Sequence, residues 1–466
     1  MNLTPKEQLL ASIGVFCGIF LAAIEGTVVA TAMPTAVKSL GGISLIHFVF
    51  ASYQLASTTS IPIWGKLGER WGLRSTFVLG CLIFLLGGMT CGTTHNIYQL
   101  IAARFLQGLG AGAIYPIAQS ILGSIYTEVK RAKMQIYLSL IWGVASIAGP
   151  PMGAWITEAL SWRWVFYLNV PAGIATLILV ELGMHKLKGD DDSIHDGFDV
   201  FGSSMLLTGL LAFLGAIMVD THGHFLLAAP WMIGLLAISV IAFCVLFVHA
   251  KNDAHPIIPM DIFKNIVFLR AAAARFFMAM AFFGSIAFMP LFCQIGLSQS
   301  VAQAGKTLTF MLLGWVTSSM IATRAYIKIP LNHLTRAGAL IISGGFIYMT
   351  LRFHTLGIAG LRLMMTVLGI GMGACFSPLL LGVQSSITRK QLSVGTASLQ
   401  LITNIGSMIG VAATGTILAS CMRSGLNVSD PSAMMTAMNK VFFMDTLISF
   451  GALGAVWGLP PITPKN

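Results

Sequence analysis

Five charged side chains sit inside long apolar stretches of this chain: Glu25, Arg104, Arg275, Arg362 and Asp445. Glu25 lies in the run LAAIEGTVVATAMP, and the stretch before it, 9–24, carries no charge. An ionised side chain near the middle of a bilayer costs about 2.5–3.5 kcal/mol on insertion scales. Two readings of Glu25 follow. It binds a proton, an ion or a substrate, or it is pinned by a structural partner. Proton exchange needs a carboxyl balanced between two influences, because burial favours the protonated form and a nearby guanidinium the ionised one. Metal chemistry has little support. The seven cysteines (Cys17, Cys81, Cys91, Cys244, Cys293, Cys375, Cys421) show no CxxC or CxxH spacing, and His222-Gly-His224 sits alone in a loop.

The elements that position these residues are set by composition. The 466 residues are 56% hydrophobic and 9% charged, with a mean hydropathy of +0.84. That is the balance of a polytopic membrane protein. Apolar runs long enough to cross about 30 Å of hydrocarbon as helices recur throughout. They predict fourteen spans, at 9–31, 46–64, 75–93, 97–118, 136–158, 163–183, 200–219, 229–249, 267–291, 305–323, 336–353, 358–384, 395–419 and 440–459. The short alternating segments of a transmembrane barrel are missing. No cleavable signal peptide is expected, since the first apolar run is too long and ends in Glu25 and Pro34.

An even span number puts both termini on one side. Of the 27 Lys and Arg residues, 18 then fall in segments on that side, six on the other and three within spans. The positive-inside rule makes the richer side cytoplasmic. The formal charge of +11 therefore reads as a topology signal and not as a nucleic-acid surface. The longest cytoplasmic loop, near Lys186 to Asp199, holds the acidic run Asp190-Asp191-Asp192 and reads as a solvated hinge. No GxxxxGK[ST] loop occurs, which excludes ATP as a driving force within this chain.

Two segments repeat. Span four carries Gly108, Gly110 and Gly112 before Pro116, and span twelve carries Gly369, Gly371 and Gly373 before Pro378, with Arg104 or Arg362 upstream. Eight spans separate the copies. This fits two six-helix halves and a two-helix insert, divided as 1–190, 191–255 and 256–466. Repeated halves around a midplane site are a transporter plan.

The loop GKLGERWGLRS, from Gly65 to Ser75, joins spans two and three. Gly65, Gly68 and Gly72 permit a tight turn and close helix approach, and Glu69 has Arg70 and Arg74 as candidate partners. An ion-pair latch or a plain positive-inside stop would each explain the charges. The loop closely resembles the G-x-L-x-D-R-x-G-R-[RK] loop of the major facilitator superfamily, with Glu69 in place of Asp. Other stretches are similar to the same superfamily: LIAARFLQGLGAG in span four, and GVASIAGPPMGA in span five, the antiporter motif, with Gly149, Pro150 and Gly153 present. The run IEGTVVATAMP resembles L-D-x-T-V-V-x-x-A-L-P with Glu25 at the Asp position. WRWVFYLNVPAG at 162–173, HPIIPMDIFKN and GTASLQLITNIGSMIGVA resemble the fourteen-span drug:proton antiporter branch. The loop TRAYIKIPLNHL after span ten keeps its charge but has lost the glycines and the acid of its counterpart.

The resemblance implies an all-α, major-facilitator-like fold of two six-helix bundles plus two inserted helices. It implies a proton-coupled antiporter that exports amphiphilic, cationic small molecules by alternating access. No cofactor is expected, and the proton motive force drives transport. At 1.5 Å per residue, Glu25 and Arg104 fall at similar heights, slightly outward of centre. They are the expected proton-coupling pair. Glu25, Tyr53, Gln107, Arg275 and Asn404 are expected to line the substrate cavity, and Gly65, Glu69, Arg70, Gly72 and Arg74 to form the gating loop. The last span is peripheral in the family, so Asp445, placed near its outer end, is assigned a structural or vestibule role. The expected partners are the substrate, protons and the lipid bilayer, with no nucleic acid and a monomeric state. The expected location is a bacterial inner membrane. The alternative is a dedicated exporter of one metabolite, such as a siderophore or a lipid-like compound. An enzyme would need a nucleophile–base or His/Asp set, and a channel a charged ring or filter loop. Neither is legible.

Overall fold

The computed structural model describes residues 4–41, 45–185, 199–217, 229–253, 256–257, 260–299, 301–326, 328–423 and 431–462. Among these, the regular elements are helical. In the first half they are α1 (Pro5–Leu40), α2 (Ile46–Arg70), α3 (Leu73–Gly92), α4 (Ile97–Ile125), α5 (Glu128–Ala159), the short α6 (Trp164–Tyr167) and α7 (Asn169–Met184). A hairpin follows, α8 (Val200–Ala216) and α9 (Ala229–Asn252). The second half comprises the short α10 (Asp261–Lys264), α11 (Ile266–Ile295), α12 (Val301–Tyr326), α13 (Leu331–Arg352), α14 (Ile358–Ser386), α15 (Leu392–Arg423) and α16 (Pro431–Trp457).

Helix starts follow local chemistry. Thr4 and Glu7 form a reciprocal capping box at α1, and the Asn96 side chain accepts the Gln99 N–H at α4. Asn265 accepts from Val267 and Phe268 at the start of α11. Helices overrun the apolar stretches because hydropathy marks the hydrocarbon layer, whereas helical hydrogen bonding continues into polar turns. Thus α16 begins at Pro431, nine residues before the expected span, and Asp445 falls at mid-helix instead of near the outer end. Eleven described helices are long and apolar enough to cross a membrane, counting α6 and α7 as one. Helices α2, α8 and α12 occupy the other three expected positions; α8 has only 17 residues. The expected boundaries at 190/191 and 255/256 lie on or beside residues outside those described, as do the Asp190–Asp192 run and His222–His224.

Each half has its own core. Phe77, Phe84, Ile114, Ile121 and Phe166 are buried in the first, and Phe268, Phe282, Phe346 and Phe442 in the second. Large apolar side chains such as Leu86, Trp155, Trp231 and Leu351 face outward, as lipid contact requires. Lipid is as apolar as Leu, so helices associate through close packing at small residues. The repeat shows how. A Cβ on Gly108 or Gly112 would collide with α2 at Tyr53 or Ser57–Ser60, and one on Gly110 with α3 at Phe84. In the second half, Gly369 and Gly373 meet α12 at Met311 and Trp315, and Gly371 meets α13 at Ile342 and Gly338. Helices α4 and α14 are therefore seated alike between matching neighbours.

The hairpin α8–α9 packs beside α2 and α15, with Leu206, Leu210 and Leu246 against Ile61, Ala397 and Leu401. Asp199 clasps its ends. One carboxylate oxygen accepts from the Gly202 N–H (2.6 Å) and meets His249 Nε2 (2.9 Å), and the other accepts from Ile257 N–H (3.1 Å).

Candidate functional site: a sealed carboxylate above a seam between halves

Helix α1 brings Glu25 to the interior of the first half, where it is 1% exposed. At 1.5 Å per residue it lies about 30 Å from the α1 end that begins at Pro5, and Arg104 lies about 32 Å from the corresponding end of α4. The two meet. Arg104 Nη1 donates to Glu25 Oε1 at 2.6 Å, and Gln107 Nε2 donates to the same oxygen at 3.0 Å. The other oxygen accepts from the Asn169 side chain at the first turn of α7. Gln107 Oε1 also accepts from Arg104 at 2.7 Å, which closes the network. The Tyr53 ring stacks on the guanidinium at 4.1 Å, and Phe166 flanks it at 6.0 Å. This is a fully donor-satisfied carboxylate, the condition under which a buried ion pair holds its geometry.

Glu25 and Gln107 were expected on a cavity wall, but both are sealed within the half. The physical reason is the donor set, because three donors from α4 and α7 turn the carboxylate away from open space. Half-buried Tyr53 covers Arg104 from α2. Asn169 was not singled out from the sequence. Its signal is an amide beside a proline at a helix start, within the run LNVP. Gly87 and Gly88 of α3 are a second missed signal, since a Cβ on either would press on Gln107.

The stretch that resembles an antiporter motif packs directly on the face of α1 that follows Glu25. Gly149 abuts Thr27 and Gly153 abuts Thr31 and Val28, and the Thr27 hydroxyl donates to Ala145 O at 3.2 Å. Pro150 points outward, and α5 runs through it unbroken.

The segment expected to form a gating loop is mostly helix. Helix α2 continues to Arg70 and α3 starts at Leu73, so Gly72, at φ +82°, makes the turn that only glycine adopts easily. Arg70 ends α2, half-buried. Glu69 pairs with Lys66 at 3.3 Å, not with Arg70 or Arg74. Burial pushes the Glu69 carboxyl above its usual range, partly offset by Lys66 and by Lys390 from the other half. Arg74 instead pairs with Glu181 on α7 and donates to His185 O at 3.3 Å. Gly65 and Gly68 seat the start of α15 at Ala397 and Ser393.

That contact belongs to a seam between the halves, at the end of the bundle where Lys66, Arg70, Arg74 and Lys390 cluster. Ser139 and Ser319 share a hydrogen bond of 2.8 Å across it, and Ser319 continues to Ser377 at 2.7 Å. Gln384 Nε2 donates to Gln119 O at 3.3 Å, and Ser120 donates to Leu392 O at 3.4 Å. Tyr326, from the loop that lost its glycines, is fully buried against Ala132 of the first half. Asn404 Nδ2 donates to Thr58 Oγ1 at 3.4 Å and accepts from Gln400 at 2.9 Å. Thr58 and Asn404 lie about 18 Å from the basic end of their helices, some 12 Å short of the Glu25 level.

The remaining intramembrane charges differ from one another. Among the described residues Arg362 donates to the Gln303 side chain and to no acid. Asp445, fully buried, bonds Ser285 across the α11–α16 contact. Arg275 is 4% exposed and stacks on Phe376 at 4.6 Å. As for metal ligands, among the described residues Asp199, His249 and Asp253 bring ligand atoms within 4.8 Å of one another. Both Asp199 oxygens are already engaged in the clasp of the hairpin. Cys17, Cys81, Cys91, Cys244, Cys293 and Cys375 are free thiols.

Comparison with known proteins adds to this geometry. The family model described as Major Facilitator Superfamily matches residues 15–411. The chain is 34% identical over 430 residues to the multidrug transporter protein MdtP of Bacillus subtilis (strain 168), covering 91% of this chain and 77% of that one. It is 29% identical over 434 residues to multidrug resistance protein 3 of the same organism, covering 92% and 83%. It is 26% identical over 422 residues to the multidrug efflux pump SdrM of Staphylococcus aureus (strain N315), covering 90% and 91%. Among solved structures, the human organic anion transporter MFSD10 (TETRAN) superposes with a TM-score of 0.66 over 96% of this chain and 100% of that one, at 13% identity, a likeness of fold alone.

Proposed function

The chain belongs to the major facilitator superfamily of membrane transporters, and we propose that it is a proton-coupled exporter of amphiphilic small molecules. The names of its bacterial relatives, multidrug transporters and an efflux pump, support the export reading. The observation that carries the coupling is the Glu25 network. It holds a titratable carboxylate at mid-bundle with its counter-ion, above a seam that closes the basic end.

On this reading the basic end is cytoplasmic and both termini lie there. Fourteen helices cross the membrane, α6 and α7 counting as one. The seam closes the cytoplasmic end, so Glu25, sealed in this conformation, exchanges its proton with the outer side when its network loosens. Protonation neutralises Glu25, releases Arg104 from its 2.6 Å bond, and frees α1 and α4 to shift against α5, whose glycines ride on α1. The seam is made of Ser, Gln and Gly contacts of modest individual strength, about 0.5–1.5 kcal/mol per hydrogen bond, which suits an interface that must open each cycle. Because Glu25 is occupied by Arg104, Gln107 and Asn169, proton and substrate do not compete for one oxygen in this state.

The test is transport into proteoliposomes under an imposed pH gradient, using ethidium (cationic), N-phenyl-1-naphthylamine (neutral) and 8-anilinonaphthalene-1-sulfonate (anionic) as probes. At least one is expected to move with the gradient, and Glu25→Gln is expected to abolish that movement while the protein still inserts and purifies normally. Gradient-driven transport by Glu25→Gln at the wild-type rate, or no driven transport of any probe by wild type, contradicts the reading.

A further inference from the structure

Among the described residues Arg275 has no counter-ion. A guanidinium stays charged at every accessible pH and offers five N–H donors in a planar fork. Buried charges are ordinarily paired, because an uncompensated one carries a desolvation penalty of several kcal/mol. Arg104 obeys this rule through Glu25. Arg275 does not: among the described residues it makes no hydrogen bond and no salt bridge, and its one contact of that kind is the Phe376 ring at 4.6 Å. An aromatic face attracts the cation but accepts none of its in-plane hydrogen bonds. Of the three side-chain nitrogens only Nε is sealed from solvent. The acid nearest along the same helix pair, Asp445, engages Ser285, ten residues and about 15 Å further along α11.

The surroundings are aromatic and come from both halves. Phe376 is held by Trp315, with ring centroids 5.4 Å apart, and Trp315 by Phe282 at 5.4 Å. From the first half, Tyr115 lies within electrostatic range of Arg275 and stacks edge-on with Trp142, which is 43% exposed. These residues lie about 14–24 Å from the basic end of their helices, around the level of the Thr58–Asn404 contact between the halves. Glu25 and Arg104 neutralise each other within the first half, whereas the charge of Arg275 is balanced by none of the described residues.

We propose that Arg275 is the receptor for an acidic group on the transported molecule, a carboxylate, sulfonate or phosphate carried on an apolar or aromatic body. This rests on the exporter reading and narrows its substrate class, away from the cations that Glu25 suggests in the sequence. The fork binds two anionic oxygens side by side, and the Trp315, Phe376, Tyr115 and Trp142 rings take the apolar body.

Saturable binding of the same three probes to purified full-length protein tests it, followed through quenching of tryptophan fluorescence. 8-Anilinonaphthalene-1-sulfonate and N-phenyl-1-naphthylamine share a ring system and differ by the sulfonate. Wild type is expected to bind the sulfonate more tightly than the neutral amine and than ethidium. Arg275→Gln is expected to weaken sulfonate binding about tenfold or more and to leave the neutral amine within about twofold, which also reports an intact fold. Arg275→Lys, which keeps the charge but loses the fork, is expected to recover part of the loss. Equal effects of Arg275→Gln on both naphthyl probes, tighter ethidium binding by wild type, or no saturable sulfonate binding each overturn the assignment. Arg275-dependent sulfonate binding without driven transport leaves the anion site standing and removes the exporter reading. Driven transport without Arg275-dependent selection does the reverse.

Discussion

Glu25 is held by three donors that come from two helices and from positions up to 144 residues away in the chain. Two of the four members of this network were legible, because counting residues along oppositely running spans puts Glu25 and Arg104 at one height. The partnership with Asn169 was not, since it lies 144 residues from Glu25 and only tertiary packing brings its amide to the carboxylate. If Asn169 holds the carboxylate in its working geometry, Asn169→Ala is expected to reduce pH-gradient-driven transport about tenfold or more, the scale of one hydrogen bond to a charged group at about 1.5–3 kcal/mol. Unchanged driven transport by Asn169→Ala would remove the residue from the mechanism. The Asp199–His249–Asp253 clasp was illegible for a similar reason, because Asp199 and His249 are fifty residues apart and the hairpin alone brings them together.

At the scale of elements, the glycine runs of α4 and α14 were the most informative part of the sequence. Each run seats one neighbouring helix with its outer glycines and another with its middle one, and the partners correspond between halves. Gly110→Val and Gly371→Val are therefore expected to act alike. Each forces α3 or α13 outward and lowers the stability of the purified protein by about 1–3 kcal/mol, read as a drop in Tm. A large drop for one and none for the other would break the equivalence. The span two–three motif was less legible. Its glycines were read as permitting a tight turn and close helix approach; Gly72 makes the turn and the helical Gly65 and Gly68 receive α15, but Glu69 turns to Lys66 within its own helix. Sequence spacing shows that glycines permit close approach; it does not show which helix approaches. Asp445 was misplaced along its span because the apolar stretch begins nine residues after the helix does.

At the scale of the molecule, two halves with separate cores meet along a polar seam at the basic end, and the carboxylate network lies beyond that seam. On the proposed alternating-access reading, this seam separates once per cycle. Replacing Ser139 and Ser319, whose hydroxyls are 2.8 Å apart, by cysteines is expected to give a disulfide under mild oxidation that stops transport and is reversed by reductant. Full transport by the cross-linked protein would show that the seam does not open. The all-helical fold and the matched seating of α4 and α14 were legible because hydropathy and glycine spacing are each local. The seam was not, since Ser and Gln in apolar helices have many local alternatives and only tertiary packing selects among them. The central claim is that Glu25 is the group whose proton is exchanged against substrate. It is tested most directly by mixing substrate with purified protein in weakly buffered solution and following pH with an indicator dye. The account predicts proton release from wild type and from Asp445→Asn, and none from Glu25→Gln. Equal release from wild type and Glu25→Gln would contradict it.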